Sequence, residues 1–371
     1  MARFCDIILV IHFKESGHEE NHHASGHDDF YRHLSGRKLC LRTGNLPVFG
    51  VFGGYGIAGM AVAVFVFFLF GCMIMRISHR TGIRDFEKLV VRGYHPILRL
   101  IFGGFTLLFM FTVVMVVVAG AGALLEQLCG FPAFVGSIFM GLLLAVAGTT
   151  GARGMVSAFG FVVPFMVAVG LMVGLMSFFN LDLSPLATSP VSGSNPLVGN
   201  WLIAALTFVS YNLLVAISVL TPIAPSVESD RAITRGIFWG SLLLFVIAMC
   251  VLVPIALHLP LVQDSSLPML TLASAIHPVL GILYALLLLC GMFGSGLSCL
   301  YALSTRVRKI GPIHGKGLLI AIMAAATLGS IAGFKNLIAT LFPLFGYFGL
   351  LALVSVGFHY WSVRKKEKTN H

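Results

Sequence analysis

The sequence predicts an all-α polytopic membrane protein with about nine transmembrane helices. Three observations carry this. The 371 residues are 58% hydrophobic and only 10% charged, with a mean hydropathy of +0.96, whereas a soluble domain is roughly half apolar and a quarter charged. Apolar runs of about 20 residues, enough to cross a bilayer as a helix, recur from residue 54 onward. Strict alternation over ten-residue segments is absent, which argues against a membrane β-barrel.

The spanning segments are expected at 54–75, 97–125, 132–149, 155–179, 200–221, 234–258, 273–302, 315–333 and 337–361. Pro, Gly, Asn and charged residues mark the connections between them. A basic run from Arg76 follows the first segment, and "CGFP" separates the second from the third. "GTTGARG" follows the third, and "NLDLSPLATSPVSGSNPLVG" over 180–199 reads as an external loop.

Loop charge predicts orientation. Arg76, Arg80, Arg84, Lys88, Arg92 and Arg99 flank or fill the first connection, Arg153 the third, and Arg231 and Arg235 the fifth. Arg306, Arg308, Lys309 and Lys316 lie in or beside the seventh, and Arg364, Lys365, Lys366 and Lys368 close the chain. The opposite side has Lys335 alone. These basic loops and the C-terminal tail, 363–371, should be cytoplasmic, in a bacterial inner membrane.

The net charge of +10 does not point to nucleic acid, because the basic residues sit at the ends of apolar segments. Seven cysteines stand singly, with no CxxC, so neither a zinc site nor a disulfide framework is expected. There is no nucleophile–base set, phosphate loop or HExxH, so no enzyme and no cofactor are expected.

Residues 1–48 have a different character. They are polar and rich in histidine. "CDIILVI" is too short for a secretory h-region, yet nine spans with an inner C-terminus place residue 50 outside. The topology therefore predicts one more helix in front.

The chain resembles a known family through "FGVFGGYGIAGMAVAVFVFFLFGCMIMRISHRTGIRDFEKLV", "VVAGAGALLEQLCGFPAFVGSIFMGLLLAVAGTTGARGMVSAFGFVVPFM" and "FVSYNLLVAISVLTPIAP". These segments look like the YkvI-type bacterial membrane proteins. That family is similar to the amino acid–polyamine–organocation transporters, with the LeuT-type inverted-repeat fold. The resemblance covers residues 49–362 and implies that the nine segments are family helices two to ten. The absent first helix would carry a glycine-rich unwound stretch and a GQE-like motif.

A shifted reading frame accounts for this. Codons for Arg42 to Asn45, read one base on, permit Gly-Gln-Glu, and Leu39 to Leu41 permit Phe-Ala-Ser. "HEEN" permits Met-Lys-Lys-Thr, with a ribosome-binding sequence permitted at Lys14-Glu15. A run of T at Val48-Phe49 would join the frames. Two other readings stand beside this: a disordered polar tail, or a divalent-metal cluster of His18, Glu19, His22, His23, His27, Asp28 and Asp29, whose spacing fits no closed site.

Candidate binding residues are polar groups near mid-span. Ser210, Tyr211 and Asn212 lie at the centre of the 200–221 segment. They offer a small hydroxyl, an aromatic wall with a hydroxyl, and a donor–acceptor amide, or else interhelical hydrogen bonds. By the resemblance this is helix six, one of two broken helices whose half-helix ends face substrate. Ser295 and Ser298, three apart among glycines, are weaker candidates for a coupling ion, Na+ or H+. The resemblance makes theirs helix eight. Glu126, at an outer helix end, is a weak candidate for a gate or an interfacial residue. "VAGAGALLEQ" and "GGYGIAG" read first as close helix contacts, and His258 and His277 as residues of segment ends. No Asp, Glu, Lys or Arg falls mid-span, so a proton relay would depend on the missing helix.

The function expected is secondary transport of a small organic solute, an amino acid or amine, by alternating access across the lipid bilayer. As written, without helix one, the chain is expected to be inactive. The alternative is a non-transporting membrane scaffold or sensor.

Overall fold

The computed structural model describes residues 52, 54–83, 86–91, 96–150, 155–180, 196–227, 229–262, 265–310 and 316–369. The readings made for residues 1–48, the frame shift and the metal cluster among them, lie outside the described residues. So does most of the 180–199 loop.

Every segment expected to span carries helix. In chain order these are α1 (Gly54–Thr81), a short α2 (Phe86–Val90), α3 (Pro96–Cys129), α4 (Ala133–Thr150), α5 (Met155–Asn180), α6 (Trp201–Ile223) and α7 (Asp230–Leu257). Short α8 (Leu259–Val262) and α9 (Pro268–Ile276) precede α10 (Pro278–Ile310), α11 (Lys316–Gly329) and α12 (Phe334–Thr369). Among the described residues five helices are long and apolar enough to cross a membrane: Tyr55–Thr81, Ile97–Cys129, Asp230–Leu257, Pro278–Ser304 and Phe334–Lys365. Shorter apolar stretches lie in α4, α5, α6 and α11.

The seventh segment begins later than its apolar pattern suggests. His277 is extended, at φ −160° and ψ 134°, and separates α9 from α10. The residue before a proline is pushed away from helix, and Pro278 follows at once. Residues 273–276 therefore belong to a separate short helix.

Local chemistry sets several ends. Asn200 accepts the Leu202 N–H at 2.9 Å to open α6, and Ser229 accepts the Ala232 N–H at 3.2 Å to open α7. Such side chains satisfy N–H groups that the first turn leaves unpaired. Gly82 and Gly130, at φ 69° and 72°, stop α1 and α3, each N–H returning to a carbonyl four residues back. Glycine reaches this left-handed conformation without a Cβ clash.

The helices pack as two groups. α6 lies between α1 and α12, and α1 also packs on α7. α3 packs on α4 and α10, with α11 against α4 and α3. α5 bridges the groups by touching both α7 and α10, and α12 reaches α3. Among the described residues α6 and α10 form no substantial interface with each other. Large apolar side chains such as Phe65, Leu142, Val146, Val279, Leu351 and Phe358 are exposed. An apolar exterior of this kind suits hydrocarbon rather than water.

Candidate functional site

The centre of α6 is an unbroken helix. From Trp201 to Ile223 the hydrogen bonding is continuous. This corrects the broken sixth helix that the family resemblance implies. The physical reason lies in the residues: there is no glycine in this stretch and its one proline, Pro222, is at the end. Nothing within it favours unwinding.

Its polar side chains bond back to their own helix. The Ser210 hydroxyl donates to the Leu206 carbonyl at 2.5 Å, and Asn212 Nδ2 donates to the Phe208 carbonyl at 2.8 Å. Thr207 and Thr221 do likewise, to Ile203 and Ile217. Back-bonding meets the donor's need without a partner helix.

Ser210, Tyr211 and Asn212 are all buried, but they face different neighbours. Ser210 lies against α12. A Cβ on Gly349 would sit 2.8 Å from the Ser210 Cβ, and one on Gly346 would sit 2.6 Å from the Thr207 Cβ. The two pairs repeat at three-residue spacing on both helices, so the backbones meet along a stripe of small residues. Tyr211 points into an aromatic cluster. Its ring lies 5.0 Å from Phe342 of α12, 5.9 Å from Phe208 and 6.2 Å from Phe109 of α3, centroid to centroid. These spacings are those of aromatic pairs packed edge to face or tilted. Tyr211 thus stands at the middle of α6, where α3, α6 and α12, members of both helix groups, come together.

Ser295 and Ser298 do not share surroundings. Ser295 is buried and donates to the Gly291 carbonyl at 3.0 Å, while Ser298 is exposed. The glycines around them seat neighbours: Gly291 faces the Met166 sulfur of α5, and Gly296 faces Leu144 of α4 and Val117 of α3. "VAGAG" in α3 is a crossing point. A Cβ on Gly122 would meet the Ala133 carbonyl oxygen and the Ser137 hydroxyl, and one on Gly120 would press on Phe334 and Met292.

Glu126 is exposed at the end of α3 and accepts the backbone N–H of Ala133, the first residue of α4. It acts there as a cap for α4. The neighbouring Gln127, which sequence reasoning passed over, does more. Its Nε2 donates to Thr271 Oγ1 at 2.9 Å and to the Leu267 carbonyl at 3.4 Å. Its Oε1 accepts from the Leu267 N–H at 3.0 Å and from Ser265 Oγ at 3.3 Å. One carboxamide therefore ties α3 to the α8–α9 connection. A signal existed in the lone amide at a helix end, but its partners lie some 140 residues away in sequence.

His258 caps α7 and is buried, and His277 Nδ1 accepts the Val279 N–H at 3.2 Å. Among the described residues no three His, Cys, Asp or Glu side chains gather as a metal site.

At the basic end a polar knot joins five helices. Arg76 of α1 donates to Thr234 of α7 at 2.9 Å and to the Tyr360 hydroxyl of α12 at 3.4 Å. Arg80 pairs with Asp230 of α7 at 2.5 Å. Ser78 Oγ donates to the Thr221 carbonyl of α6 at 2.7 Å. Ser355 donates to the Val90 carbonyl at 2.5 Å, and His359 Nδ1 lies 2.8 Å from the Leu89 carbonyl, so α2 is held against α12.

No family model matches the chain. It is similar to two proteins of Bacillus subtilis (strain 168). The uncharacterized membrane protein YkvI is 28% identical over 299 residues, which covers 81% of this chain and 85% of YkvI. The uncharacterized protein YyaD is 23% identical over 313 residues, covering 80% and 86%. Among solved structures, a mutant of the Eremococcus coleocola manganese transporter aligns with a TM-score of 0.52 at 16% identity, covering 91% of this chain and 81% of that one. The same transporter in complex with an aromatic bis-isothiourea substituted compound aligns with a TM-score of 0.50 at 15% identity, with the same coverage. The chain is an all-α, multi-pass membrane protein that resembles YkvI and has the fold of a membrane transporter.

Proposed function

We propose that the chain belongs to a secondary transporter of the YkvI type, with the LeuT-like inverted-repeat architecture, carrying a small amino acid or amine. The observation that carries this is the transporter fold, matched over nine-tenths of the chain. Tyr211 and Asn212 supply the recognition: a phenol ring and hydroxyl beside a carboxamide, buried at the middle of α6 where the two helix groups meet. Such a set offers hydrogen bonds and a ring face to an organic solute. It offers no hard anionic oxygens of the kind that hold Mn2+. A coupling cation, Na+ or H+, would bind beside Ser295 and Ser298, and Glu126 would gate the outer end.

Alternating access fits the packing of the chain as two helix groups, bridged by α5 and α12. Among the described residues α6 and α10 form no substantial interface, and helix one would lie between them. The chain as written is then inactive, and residues 1–48 are read out of frame. The basic ends face the cytoplasm.

The test is uptake of a panel of labelled amino acids and amines into proteoliposomes. It compares the chain as written with a chain whose first 48 codons are shifted by one base. Uptake by the shifted chain alone supports both readings. Equal uptake by both chains overturns the frame reading, and no uptake by either favours a membrane scaffold or sensor.

A further inference from the structure

We propose that the exposed face of α7 beside its seam with α1, at their basic ends, binds one anionic phospholipid, its phosphate held by Arg231 and Arg235. The two arginines stand one turn apart on α7, and both are exposed. Side chains four residues apart on a helix are neighbours, and guanidinium groups pair closely with phosphate oxygens. Among the described residues neither arginine engages a protein group. The nearest acid in sequence, Asp230, is already neutralised by Arg80. Among the described residues the two guanidinium groups thus remain open to a ligand, where their neighbour Arg76 is bound to Thr234 and Tyr360.

The surface beyond the arginines suits an acyl chain. Trp239, the next residue on the same face, is 64% exposed, and Phe238 beside it is 50% exposed. Phe238 meets Phe68 of α1 edge to face at 6.1 Å and Trp239 at 5.7 Å, so the aromatic surface crosses the seam. The seam is close at its floor, where a Cβ on Gly71 would lie 3.1 Å from Ile237. Leu242, Leu243 and Val246 continue the exposed apolar face. Arg235 to Val246 spans roughly 16 Å at 1.5 Å per residue, about half of a ~30 Å hydrocarbon core. Charge, then indole, then aliphatic surface follows the order of a lipid from phosphate through glycerol to chain. The proposal depends only on the chain's being a membrane protein, not on the transport reading.

This exposed face of α7 holds one of the chain's three tryptophans, which supplies the readout. With Trp201→Phe and Trp361→Phe, emission reports Trp239 alone. The protein is placed in phosphatidylcholine nanodiscs doped with brominated phosphatidylglycerol or, at equal mole fraction, brominated phosphatidylcholine. We expect several-fold stronger quenching by the anionic lipid. Arg231→Gln with Arg235→Gln should abolish the difference, while Arg364→Gln, an exposed arginine on α12, should leave it intact. Equal quenching by both lipids overturns the proposal. So does a preference that survives the double substitution, or one that millimolar inorganic phosphate removes, since that marks a small-anion site. Helix content by circular dichroism confirms that each variant is folded.

Discussion

Gly349 of α12 touches Ser210 of α6 so closely that a Cβ on the glycine would lie 2.8 Å from the serine's carbonyl carbon. Any side chain there must displace backbone, which is stiffer than a neighbouring side chain. Gly349→Leu should therefore lower stability by roughly 1–3 kcal/mol, the usual cost of overpacking. Thermal unfolding in detergent measures it. Gly357→Leu is the control, because nothing lies within 4 Å of that glycine. Its melting temperature should match that of the unmodified protein.

Asn212→Ala separates a binding role from a packing role. The amide donates only within its own helix, to Phe208, so its loss should cost about 1 kcal/mol or less. Uptake by the frame-shifted chain should nonetheless fall at least tenfold, and Tyr211→Phe should weaken it without loss of expression. Melting temperature and uptake are measured on the same preparation. A fall in uptake matched by a fall in folded protein would show that Asn212 serves the helix and not a solute.

The extent to which the sequence anticipated the fold follows from what local physics controls. Segments of about 20 apolar residues declare themselves, because hydrocarbon requires them. Caps at Asn200 and Ser229 and stops at Gly82 and Gly130 are likewise local. The close contact at "VAGAG" was also legible, since small residues in a membrane helix mark where another helix approaches. The unbroken α6 was not. The family resemblance implied a break there, but side chains that bond back to Leu206 and Phe208 leave the helix intact. Gln127 and its partners stayed hidden because Ser265, Leu267 and Thr271 join it only in the folded chain. The same holds for Gly349 and Ser210.

Gln127→Ala should loosen the α8–α9 connection more than the bundle. It removes both the donor and the acceptor that hold Ser265, Leu267 and Thr271. The Leu267 N–H and the Thr271 hydroxyl are then left to Ser265 Oγ, and the Thr271 hydroxyl to the Leu267 carbonyl, so the local cost should be about 1–3 kcal/mol. Hydrogen–deuterium exchange over 265–271 should rise, with exchange in the middle of α7 unchanged. Gln127→Glu keeps the acceptors and loses the donors, so its exchange should fall between the two. Unchanged exchange in Gln127→Ala would mean that the tie carries no load.

The two arginines of α1's last turns should differ in weight. Arg80 and Asp230 have side chains 28% and 36% exposed, and a pair so accessible to water contributes about 1 kcal/mol or less. A double-mutant cycle with Arg80→Ala and Asp230→Ala should give a coupling of that size. It should shrink in 1 M salt, where the screening length is about 3 Å. Arg76 instead joins three helices through Thr234 and Tyr360, with its side chain partly buried. Hydrogen bonds from a charged group contribute about 1.5–3 kcal/mol. Arg76→Ala should thus destabilise the folded protein more than Arg80→Ala, and salt should change the Arg76→Ala loss little, so that the difference widens at high salt. Equal losses for the two, measured by unfolding in detergent at low and high salt, would place the knot's strength in the exposed ion pair after all.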